Sequence, residues 1–504
     1  MDKSTYPIDH FLEIRNQQQK TLAYDQVLVE PRYSKIIPAG VNVSSYFSRR
    51  IKLSIPIISS PMDSVTEWKM AITMAKLGGL GIIHKGMSPE DQATMTAKVK
   101  YHLNAMIYSP ICVTENQTIA EVLNLKEQKG YNFYSFPVLN SSGQLVGIVT
   151  RNDFDFSHSQ NQKIKEIMSK ELVTAASGIT IEKAYQIMSD RQKKILPIVE
   201  NGQLQGMYTY SDVKRIRQGD SQGFSLDDYG RLRVGAAIGV GEEEKRRAKL
   251  LAAQLVDVLV IDTAHGNSQG VVEMLKYLKQ AYPSVDIVAG NVSEIDGARR
   301  LARAGADGIR VGQGPGSICT TRIIAGIGVP QFSAVGNCAK VVRDLGVPIC
   351  ADGGIKQSGD ITKALAAGAT SVMLGNLLAG TAETPGTIKK KDGLSYKVYR
   401  GMGSLSAMID NKTSRDRYGQ GDSGDEKLVS EGVSALVPFR GEVAKIIYQL
   451  VGGLKSGMAY VGCQTVAEMS KKVNFNEINE AGLKESRPHS LSAIEEAPNF
   501  NMNA

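Results

Sequence analysis

The stretch of sequence that decides the fold is residues 256–312, VDVLVIDTAHGNSQGVVEMLKYLKQAYPSVDIVAGNVSEIDGARRLARAGADGIRVG. Three short apolar runs, VDVLVIDTA, DIVAGN and GIRVG, alternate in it with segments that carry apolar residues at helical spacing. Nearly continuous apolar strands are typical of parallel strands that are buried on both faces. The stretch therefore predicts a repeating strand–helix chain with a parallel sheet.

The same alternation continues along the chain and gives eight predicted strands in all. The other five are PIIS from Pro56, GLGIIH ending at His84, RVGAAIG from Arg233, VPICADGG ending at Gly354 and SVMLGN ending at Asn376. Helical spacing recurs over Glu242–Gln254, Glu294–Ala304 and Ser358–Ala367. Eight such units over roughly 390 residues predict an α/β fold of the (β/α)8 TIM-barrel type with insertions.

One insertion, at about residues 110–219, contains an internal duplication. Each half has a strand, a helical stretch, a strand led by proline (Pro137 or Pro197), a Gly-Gln-Leu turn, a strand and a closing aspartate (Asp153 or Asp212). Two copies predict a pseudo-symmetric pair that buries a shared face. The order resembles a tandem CBS module, a regulatory unit that often binds adenine or guanine nucleotides. A spacer without a ligand is the alternative.

The predicted domain boundaries follow from this insertion. Residues 1–108 form the first part of the barrel, 109–219 the tandem CBS domain, and 220–504 the second part of the barrel. A polar segment, Leu378–Arg440, follows the eighth strand, and we expect an active-site flap at about 386–440. A disordered surface loop is the alternative.

Composition limits the function classes. The 504-residue chain carries a net charge of +8, which suits an anionic small ligand or a nucleic acid. Its longest basic runs, Lys245–Arg247 and Lys389–Lys391, are short, so nucleic-acid binding is disfavoured. The five cysteines show no metal spacing, and no apolar run reaches membrane-spanning length. We expect free thiols, a reducing compartment and a cytoplasmic protein without membrane contact.

Polar residues and glycines cluster where seven of the eight predicted strands end. The active sites of TIM barrels lie at the carboxyl ends of the strands, so these residues predict the site. The clusters are Ser60-Pro61-Met62-Asp63, His84-Lys85, Asp262-Thr263-Ala264-His265, Gly290-Asn291, the loop GPGSICTTR at 314–322, Asp352-Gly353-Gly354 and Gly375-Asn376.

Cys319 in the GPGSICTTR loop is the candidate nucleophile. Loop amides and nearby Arg322 favour its thiolate, and Ser317 and Thr321 offer hydroxyls to a substrate. The alternative is a cysteine that packs as a small apolar residue. That interpretation suits Cys350, which lies in a predicted strand, and Cys338, which lies in a predicted helix.

Glycines at the ends of the seventh and eighth strands indicate a phosphate site. Backbone amides at Gly353-Gly354 and Gly375 can approach an anion closely, and Asp352 can accept hydrogen bonds from a ribose diol. One phosphate and one ribose suggest a nucleoside monophosphate. The flap can carry Arg417-Tyr418 into this site.

The motifs SPMD, IDTAHG, AGN, GPGSICTTR, ADGGI, YRGMGS, DRY, VSEG and GLKESRPH follow one another along the chain. Their order resembles the inosine-5′-monophosphate dehydrogenase family of the bacterial type, including the tandem CBS insertion. The resemblance implies that Cys319 attacks C2 of IMP and that a hydride passes to NAD. The flap then enters the vacated dinucleotide site, and water hydrolyses the adduct to XMP with Arg417 as base.

The resemblance also implies roles for individual residues. Those implied for catalysis are Cys319, Thr321, Arg417 and Tyr418. Those implied for IMP are Ser60, Met62, Ser317, Asp352, Gly353, Gly354, Gly375, Asn376, Tyr399, Gly401, Met402, Gly403 and Glu431. Those implied for NAD are Asp262, Asn291 and Gly312. Those implied for K⁺ are Gly314, Gly316 and Cys319, with Glu485, Ser486 and Arg487 from a neighbouring subunit of a homotetramer or octamer.

Three features depart from the family pattern. Asn376 stands where many members have serine, and Arg487 where the bacterial pattern often has histidine. The second CBS half also has Met207-Tyr208-Thr209-Tyr210 in place of a more aliphatic strand, which puts its ligand in question.

Two rival functions remain. One rival is GMP reductase, which shares the barrel and the cysteine loop but needs no hydrolytic flap. The other is a CBS-based nucleotide sensor with an inactive barrel.

Overall fold

A computed structural model describes residues 6–103, 106–107, 110–129, 133–217, 223–421 and 423–491. The chain divides into two compact units. One comprises the chain up to Lys100, Gly223–Asp227 and the chain from Leu232 onward, and the other comprises residues 101–222 with Asp228–Arg231. Each unit is described by itself below.

The first unit is a closed barrel of eight parallel strands, as the sequence predicts. In chain order the strands are β1 (Ile57–Ser59), β2 (Leu80–Ile83), β3 (Gly235–Ile238), β4 (Val258–Asp262), β5 (Asp286–Val292), β6 (Gly308–Val311), β7 (Ile349–Asp352) and β8 (Ser371–Leu374). Each pairs with its neighbour in the chain, and β8 closes the ring by pairing Leu374 with Ser59 of β1. Every member of these strands is buried except Asp352, which is half-buried at the end of β7.

A helix follows each barrel strand. These helices are Trp68–Lys76, Pro89–Lys100, Glu242–Ala253, Gln269–Ala281, Ile295–Arg303, Gln331–Val342, Ser358–Ala366 and Val443–Tyr460. The three helices predicted by number begin and end within one residue of their predicted limits. Their apolar faces pack on the outside of the strands and form the larger core, while a smaller core fills the barrel.

The end of the barrel at which the strands begin, called the lower end below, is filled by the turn between two short paired strands, Ser45–Tyr46 and Lys52–Leu53. Phe47, Ile51 and Leu53 join the interior core of the barrel, and Phe47 is fully buried. Burying a phenylalanine contributes about 1.5–3 kcal/mol to stability. With this end packed by apolar side chains, the opposite end is left for a site.

Short elements flank the barrel at both chain ends. The helix Pro7–Gln17 and the strand Val27–Val29 come first, and Val27–Val29 pairs with Phe475–Glu477 near the other end. The helices Val466–Lys472 and Glu480–Glu485 complete this part.

The predicted flap segment contains regular structure over most of its length. A three-stranded antiparallel sheet comprises Lys389–Lys391, Leu394–Arg400 and Ser434–Pro438. Between its last two strands lie the helices Leu405–Asp410 and Lys412–Arg417 and the 3₁₀ turn Asp425–Lys427. Residue 422 lies outside the described residues.

The second unit has two halves with their own small sheets and cores. In the first half, Val113–Thr114, Phe136–Leu139 and Leu145–Val149 form one sheet beside the helices Ile119–Lys129, Arg151–Asp155 and Ile164–Ile167. In the second, Met106–Ile107, Ile195–Glu200 and Gln203–Thr209 form the other beside Ile181–Asp190 and Tyr210–Arg217. The strands Phe136–Leu139 and Ile195–Glu200 both carry the expected proline. A backbone hydrogen bond from Leu145 to Gly202 joins the halves.

In the described part of the chain, none of the helices has the length and the apolar character needed to cross a membrane.

Candidate active site

The cysteine loop leaves the end of β6 through glycines that the geometry requires. Gly312 and Gly314 have positive φ angles of 150° and 76°, a region that L side chains rarely adopt. A Cβ at Gly314 would lie 2.6 Å from Cγ of Arg322, and one at Gly312 would clash with the carbonyl oxygen of Asp352. The loop therefore packs tightly on β7 and on Arg322, and it holds Cys319 half-buried at the carboxyl end of the strands.

Cys319 begins a chain of hydrogen bonds that ends on a carboxylate. Its Sγ donates to Oγ1 of Thr321 at 3.2 Å, and Thr321 donates to Oε2 of Glu431 at 2.8 Å. Backbone hydrogen bonds from Thr320 to Glu431 and from Val433 to Ile318 hold the two segments side by side. The arrangement can move a proton from the vicinity of the thiol to Glu431.

The sequence predicts contact with the substrate for Glu431 but misses its bond to Thr321. These two residues are 110 positions apart, so no local pattern joins them. The motifs SICTT and VSEG mark Thr321 and Glu431 separately as site residues, but they do not indicate that the two are in contact.

The flap brings Arg417 and Tyr418 into the same region. Arg417, the last residue of Lys412–Arg417, forms an ion pair with Asp262 at the end of β4. The ring of Tyr418 lies against Gly403, where a Cβ would be 2.6 Å from Cζ of the tyrosine. The hydroxyl of Thr413 donates to the carbonyl of Lys85 at 3.2 Å and anchors the flap helix at β2.

Burial and ion pairing act in opposite directions on the Arg417–Asp262 pair. Burial alone would raise the pKa of Asp262, but Arg417, Arg310 and Lys85 together hold it well below its usual range. Burial alone would lower the pKa of Arg417, but the Asp262 carboxylate outweighs it and raises that pKa. In the docked flap, Arg417 is therefore a cation.

Arg310 ties together three strand ends. Its guanidinium donates to Oδ1 of Asp262 and to Oδ2 of Asp352, each at 2.7 Å. Asn291 at β5 donates to the same Oδ2 at 2.7 Å and to the carbonyl of Gly312 at 2.8 Å. Sequence reasoning missed Arg310, although a charged residue within the apolar run GIRVG signals a buried ion pair.

Asn291 leaves one buried atom, Oδ1, without a hydrogen-bond partner among the described residues. Buried polar atoms are seldom left unpaired, so this acceptor suits a ligand that donates a hydrogen bond. Asn291 is also one of the residues for which the resemblance implies contact with NAD.

The predicted phosphate residues converge around Tyr399. This side chain is buried, hydrogen bonds to Ser317 and lies close enough to Gly375 that a Cβ there would be 2.8 Å from its hydroxyl. Sδ of Met62 is 3.9 Å from the same hydroxyl. Burial is the main cause that raises the pKa of Tyr399 to about 12, so the hydroxyl stays a neutral donor.

Backbone geometry at two further loops suits an anion and a flat ring. Gly353 and Gly354 have φ angles of 90° and 78° beside Pro315, so the β7 loop turns there against the cysteine loop. The amide of Gly401 donates to Val433, and Gly403 accepts from the amide of Glu431. Met402 is buried between these two glycines.

Ser60 and Asn376 extend the same rim from β1 and β8. The amide of Ser60 donates to the carbonyl of Leu374 at 3.0 Å, which pairs the ends of these strands. The carbonyl of Asn376 accepts from Arg440 at 3.2 Å. Sequence reasoning missed Arg440, a half-buried guanidinium beside the phosphate glycines.

The residues implied for K⁺ come from two segments of the chain, the cysteine loop and the helix Glu480–Glu485 with the residues after it. The carbonyl of Gly316 accepts the amide of Cys319 at 3.1 Å, while in the described residues no hydrogen bond reaches the carbonyls of Gly314 and Cys319. These oxygens are hard ligands of the kind that alkali cations accept. Glu485, Ser486 and Arg487 lie at the end of the helix Glu480–Glu485, which packs beside the turn Tyr24–Gln26.

Known proteins resemble this chain over most of its length. Residues 21–489 match the family model described as the IMP dehydrogenase / GMP reductase domain. The chain belongs to this family. Its barrel, cysteine loop and flap are thus those of a family member.

Among relatives, the chain is 45% identical over 493 residues to an inosine-5′-monophosphate dehydrogenase of Aquifex aeolicus, covering 97% of this chain and 99% of that one. It is 42% identical over 488 residues to the enzyme of the same name from Haemophilus influenzae, covering 96% and 99%. Among solved structures, GMP reductase from Trypanosoma brucei in complex with guanosine 5′-monophosphate matches with a TM-score of 0.81 and 40% identity, covering 95% and 100%.

Proposed function

We propose that this protein oxidises IMP to XMP with NAD, a step in the synthesis of guanine nucleotides. The observation that carries the proposal is the joining of a nucleophile to a hydrolytic apparatus. Cys319 leads through Thr321 to Glu431, and the flap residues Arg417 and Tyr418 close on the same place. An enzyme that forms a thioimidate and must then hydrolyse it needs both parts.

In the first half-reaction the Cys319 thiolate bonds to C2 of the hypoxanthine ring while the C2–N3 π electron pair moves to N3, which makes C2 tetrahedral. This pair re-forms the double bond as the hydride leaves C2. NAD, held on the side of Asp262, Asn291 and Gly312, would supply the acceptor for the hydride that leaves C2. The ring is then attached to Cys319 as a thioimidate. The phosphate is held by amides at Gly354 and Gly375 with Ser317 and Tyr399, and Asp352 holds the ribose hydroxyls.

In the second half-reaction water adds to C2 and the Cys319 thiolate leaves, which gives XMP. The proton of that water passes to Thr321 and on to Glu431, since the two are hydrogen bonded at 2.8 Å. Tyr418 and Arg417 enclose the water as the flap docks. The base role implied for Arg417 requires the guanidinium to give up a proton, and its raised pKa beside Asp262 opposes this.

Asp262, Asn291 and Gly312 supply the side on which the dinucleotide binds. Asp262 cannot serve the dinucleotide and the flap together, because the docked Arg417 is paired with it. The flap and the dinucleotide therefore alternate in one place.

K⁺ fits the carbonyl donors of Gly314, Gly316 and Cys319, and its charge would steady a loop that has to carry a thiolate. Glu485, Ser486 and Arg487 would complete this site from a neighbouring subunit of a homotetramer or octamer. A backbone carbonyl can bind the ion whatever the side chain, so arginine in place of histidine at position 487 would not remove this ligand.

The CBS unit would bind adenine or guanine nucleotides. The enzyme would act in the cytoplasm without membrane or nucleic-acid partners.

A second candidate is GMP reductase, because a solved GMP reductase is 40% identical over 95% of this chain. That activity would reduce GMP with NADPH and release ammonia. It shares the nucleophile but needs no hydrolysis, so the half-buried flap residues Arg417 and Tyr418 favour the dehydrogenase.

Paired absorbance assays test the proposal. Purified protein is mixed with IMP, NAD and KCl in one arm and with GMP and NADPH in the other, with Cys319→Ser as control. We expect NADH to form in the first arm alone and to be lost in the control. Consumption of NADPH in the second arm would favour the reductase. No reaction in either arm would favour the nucleotide sensor.

A further inference from the structure

Lys85 is a buried cation that the proposed chemistry does not use. It follows β2 at the carboxyl end of the strands, called the mouth of the barrel below, and 3% of its surface is exposed. A Cβ at Gly239 would lie 2.8 Å from Nζ, so the ammonium sits beside the end of β3. Among the described residues it makes no hydrogen bond and no ion pair within 4.0 Å. A buried charge without a direct partner is costly, which suggests that it has a purpose.

The two carboxylates that face Lys85 already have closer partners. Glu244 accepts from the amide of Gly239 at 2.5 Å and from Arg247 at 3.1 Å. Asp262 accepts from Arg310 at 2.7 Å and is paired with Arg417. Lys85 is thus the surplus cation in a buried group of charges, and the flap brings one of the cations.

We propose that Lys85 is a positioning residue that competes with Arg417 for Asp262 and thereby sets how firmly the flap docks. Like charges around one carboxylate repel each other across a poorly screened interior. When the flap is away, Lys85 and Arg310 remain beside Asp262. This proposal rests on the proposed function, in which the flap and the dinucleotide use Asp262 in turn.

The electrostatics give the proposal a pH dependence. The charged groups that act on Lys85 are Asp262, Glu244, Arg417 and Arg247. Burial is the main influence and lowers the pKa of Lys85, the two carboxylates oppose it, and the two arginines lower it further. The ammonium is present at low pH and is lost as pH rises through this lowered pKa. Flap docking should therefore tighten as pH rises.

Limited trypsin digestion of the full-length protein without ligands measures docking directly, because trypsin reaches the bond after Arg417 only when the flap is released. The matched variants are Lys85→Met and Lys98→Met, the latter on the exposed face of the helix Pro89–Lys100. Cleavage rates at each pH are divided by the rate on a small peptide, which corrects for trypsin itself. Thermal unfolding confirms that each variant is folded.

We expect Lys85→Met to slow cleavage after Arg417 roughly tenfold near pH 7. We expect Lys98→Met to match the wild type, and the pH dependence to disappear in Lys85→Met. Faster or unchanged cleavage in a folded Lys85→Met protein would overturn the proposal, since a lysine that merely packs would loosen the flap when shortened. If Lys85→Met does not fold, wild-type cleavage that fails to slow with rising pH overturns it equally.

Kinetics separate this proposal from the proposed function. If the chain oxidises IMP, Lys85→Met should raise KM for NAD, because a tighter flap excludes the dinucleotide, while a normal NADH burst remains at saturating NAD. If the chain does not oxidise IMP, the proposed function fails whatever the digestion shows. Oxidation of IMP together with unchanged digestion would reject the Lys85 proposal alone.

Discussion

Two buried lysines, one near the lower end of the barrel and one at its mouth, differ in how they are satisfied. Lys100, at the lower end, donates to Asp227 at 2.9 Å and to both oxygens of Asp257 at 3.0 and 2.8 Å. Asp257 also accepts the amide of Val234 at 2.8 Å. Lys85, at the mouth, has no such bonds among the described residues. Burial is similar, but only the first lysine is fully paired.

Unpaired polar atoms lie at both ends of the described part of the barrel but differ in kind, since those near the lower end are the hydroxyls of Ser225 and Ser371. Within the described residues, several buried side-chain atoms at or near the mouth lack a hydrogen-bond partner, namely His84 Nε2, Asn291 Oδ1, Arg310 Nε, Gln331 Oε1 and Arg417 Nε. Unsatisfied buried groups cost stability and tend to gather where a protein binds or reacts. The lower end is arranged for stability, whereas the mouth leaves charged and amide groups available to a ligand.

The largest effect that this contrast predicts is at Cys319. Cys319→Ser removes the nucleophile, so kcat should fall roughly 10³-fold or more. The thermal midpoint should move by less than about 2 °C, because the residue belongs to the mouth. NADH absorbance and thermal unfolding of the same sample measure the two. A large fall in the midpoint would contradict the contrast.

Lys100→Met should have the opposite signature. It removes the buried cation that Asp257 and Asp227 share, which should lower the free energy of unfolding by about 3–5 kcal/mol. Urea unfolding measures this, with the exposed Lys98→Met as the matched control. The activity per folded molecule should be unchanged. Loss of activity in a protein of unchanged stability would show that the two ends are coupled.

A smaller effect is expected at Glu431, where only one half-reaction is involved. Glu431→Gln should slow hydrolysis roughly 10²-fold, because the amide cannot take the proton from Thr321. The NADH burst in a rapid-mixing experiment should keep its amplitude. Thr321→Val should act on the same step, and the double variant should be little worse than either single one. A lost burst would place Glu431 in the first half-reaction instead.

The smallest effect concerns thiol labelling and leaves the fold unchanged. Burial is the main cause that raises the pKa of Cys350 to about 12, with Asp352 adding to it. Its thiolate fraction at pH 8 is then roughly one part in 10⁴. Brief treatment with iodoacetamide at pH 8 should therefore alkylate Cys319 before Cys350, as peptide mass spectrometry can show. Equal labelling would mean that the barrel interior opens.

The sequence predicts the barrel well because its signals are local. Each strand is a short apolar run, and GIRVG is recognisable as β6 without reference to any other segment. The partners of Arg310 are not local: Asp262 and Asp352 lie 48 and 42 positions away and meet it only when the barrel closes. The insertion is another example, since the compact unit begins at residue 101, directly after the helix that Lys100 anchors, whereas the repeat pattern predicts 109.

Most of the residues that the family resemblance implies for the site lie at the carboxyl end of the barrel strands, including the flap residues that no periodicity would select. It did not predict the electrostatic cost of a cationic Arg417 or the surplus Lys85. Both follow from distances between strand ends, which a linear motif does not contain.

The central claim is a covalent intermediate on Cys319, and rapid acid quenching during turnover tests it most directly. The protein is mixed with IMP and NAD, quenched within the burst phase, and mapped by peptide mass spectrometry. The account predicts a nucleotide adduct on the peptide that contains Cys319, with more of it in Glu431→Gln because hydrolysis is slowed. Turnover with no adduct, or with an adduct on another residue, would contradict the account.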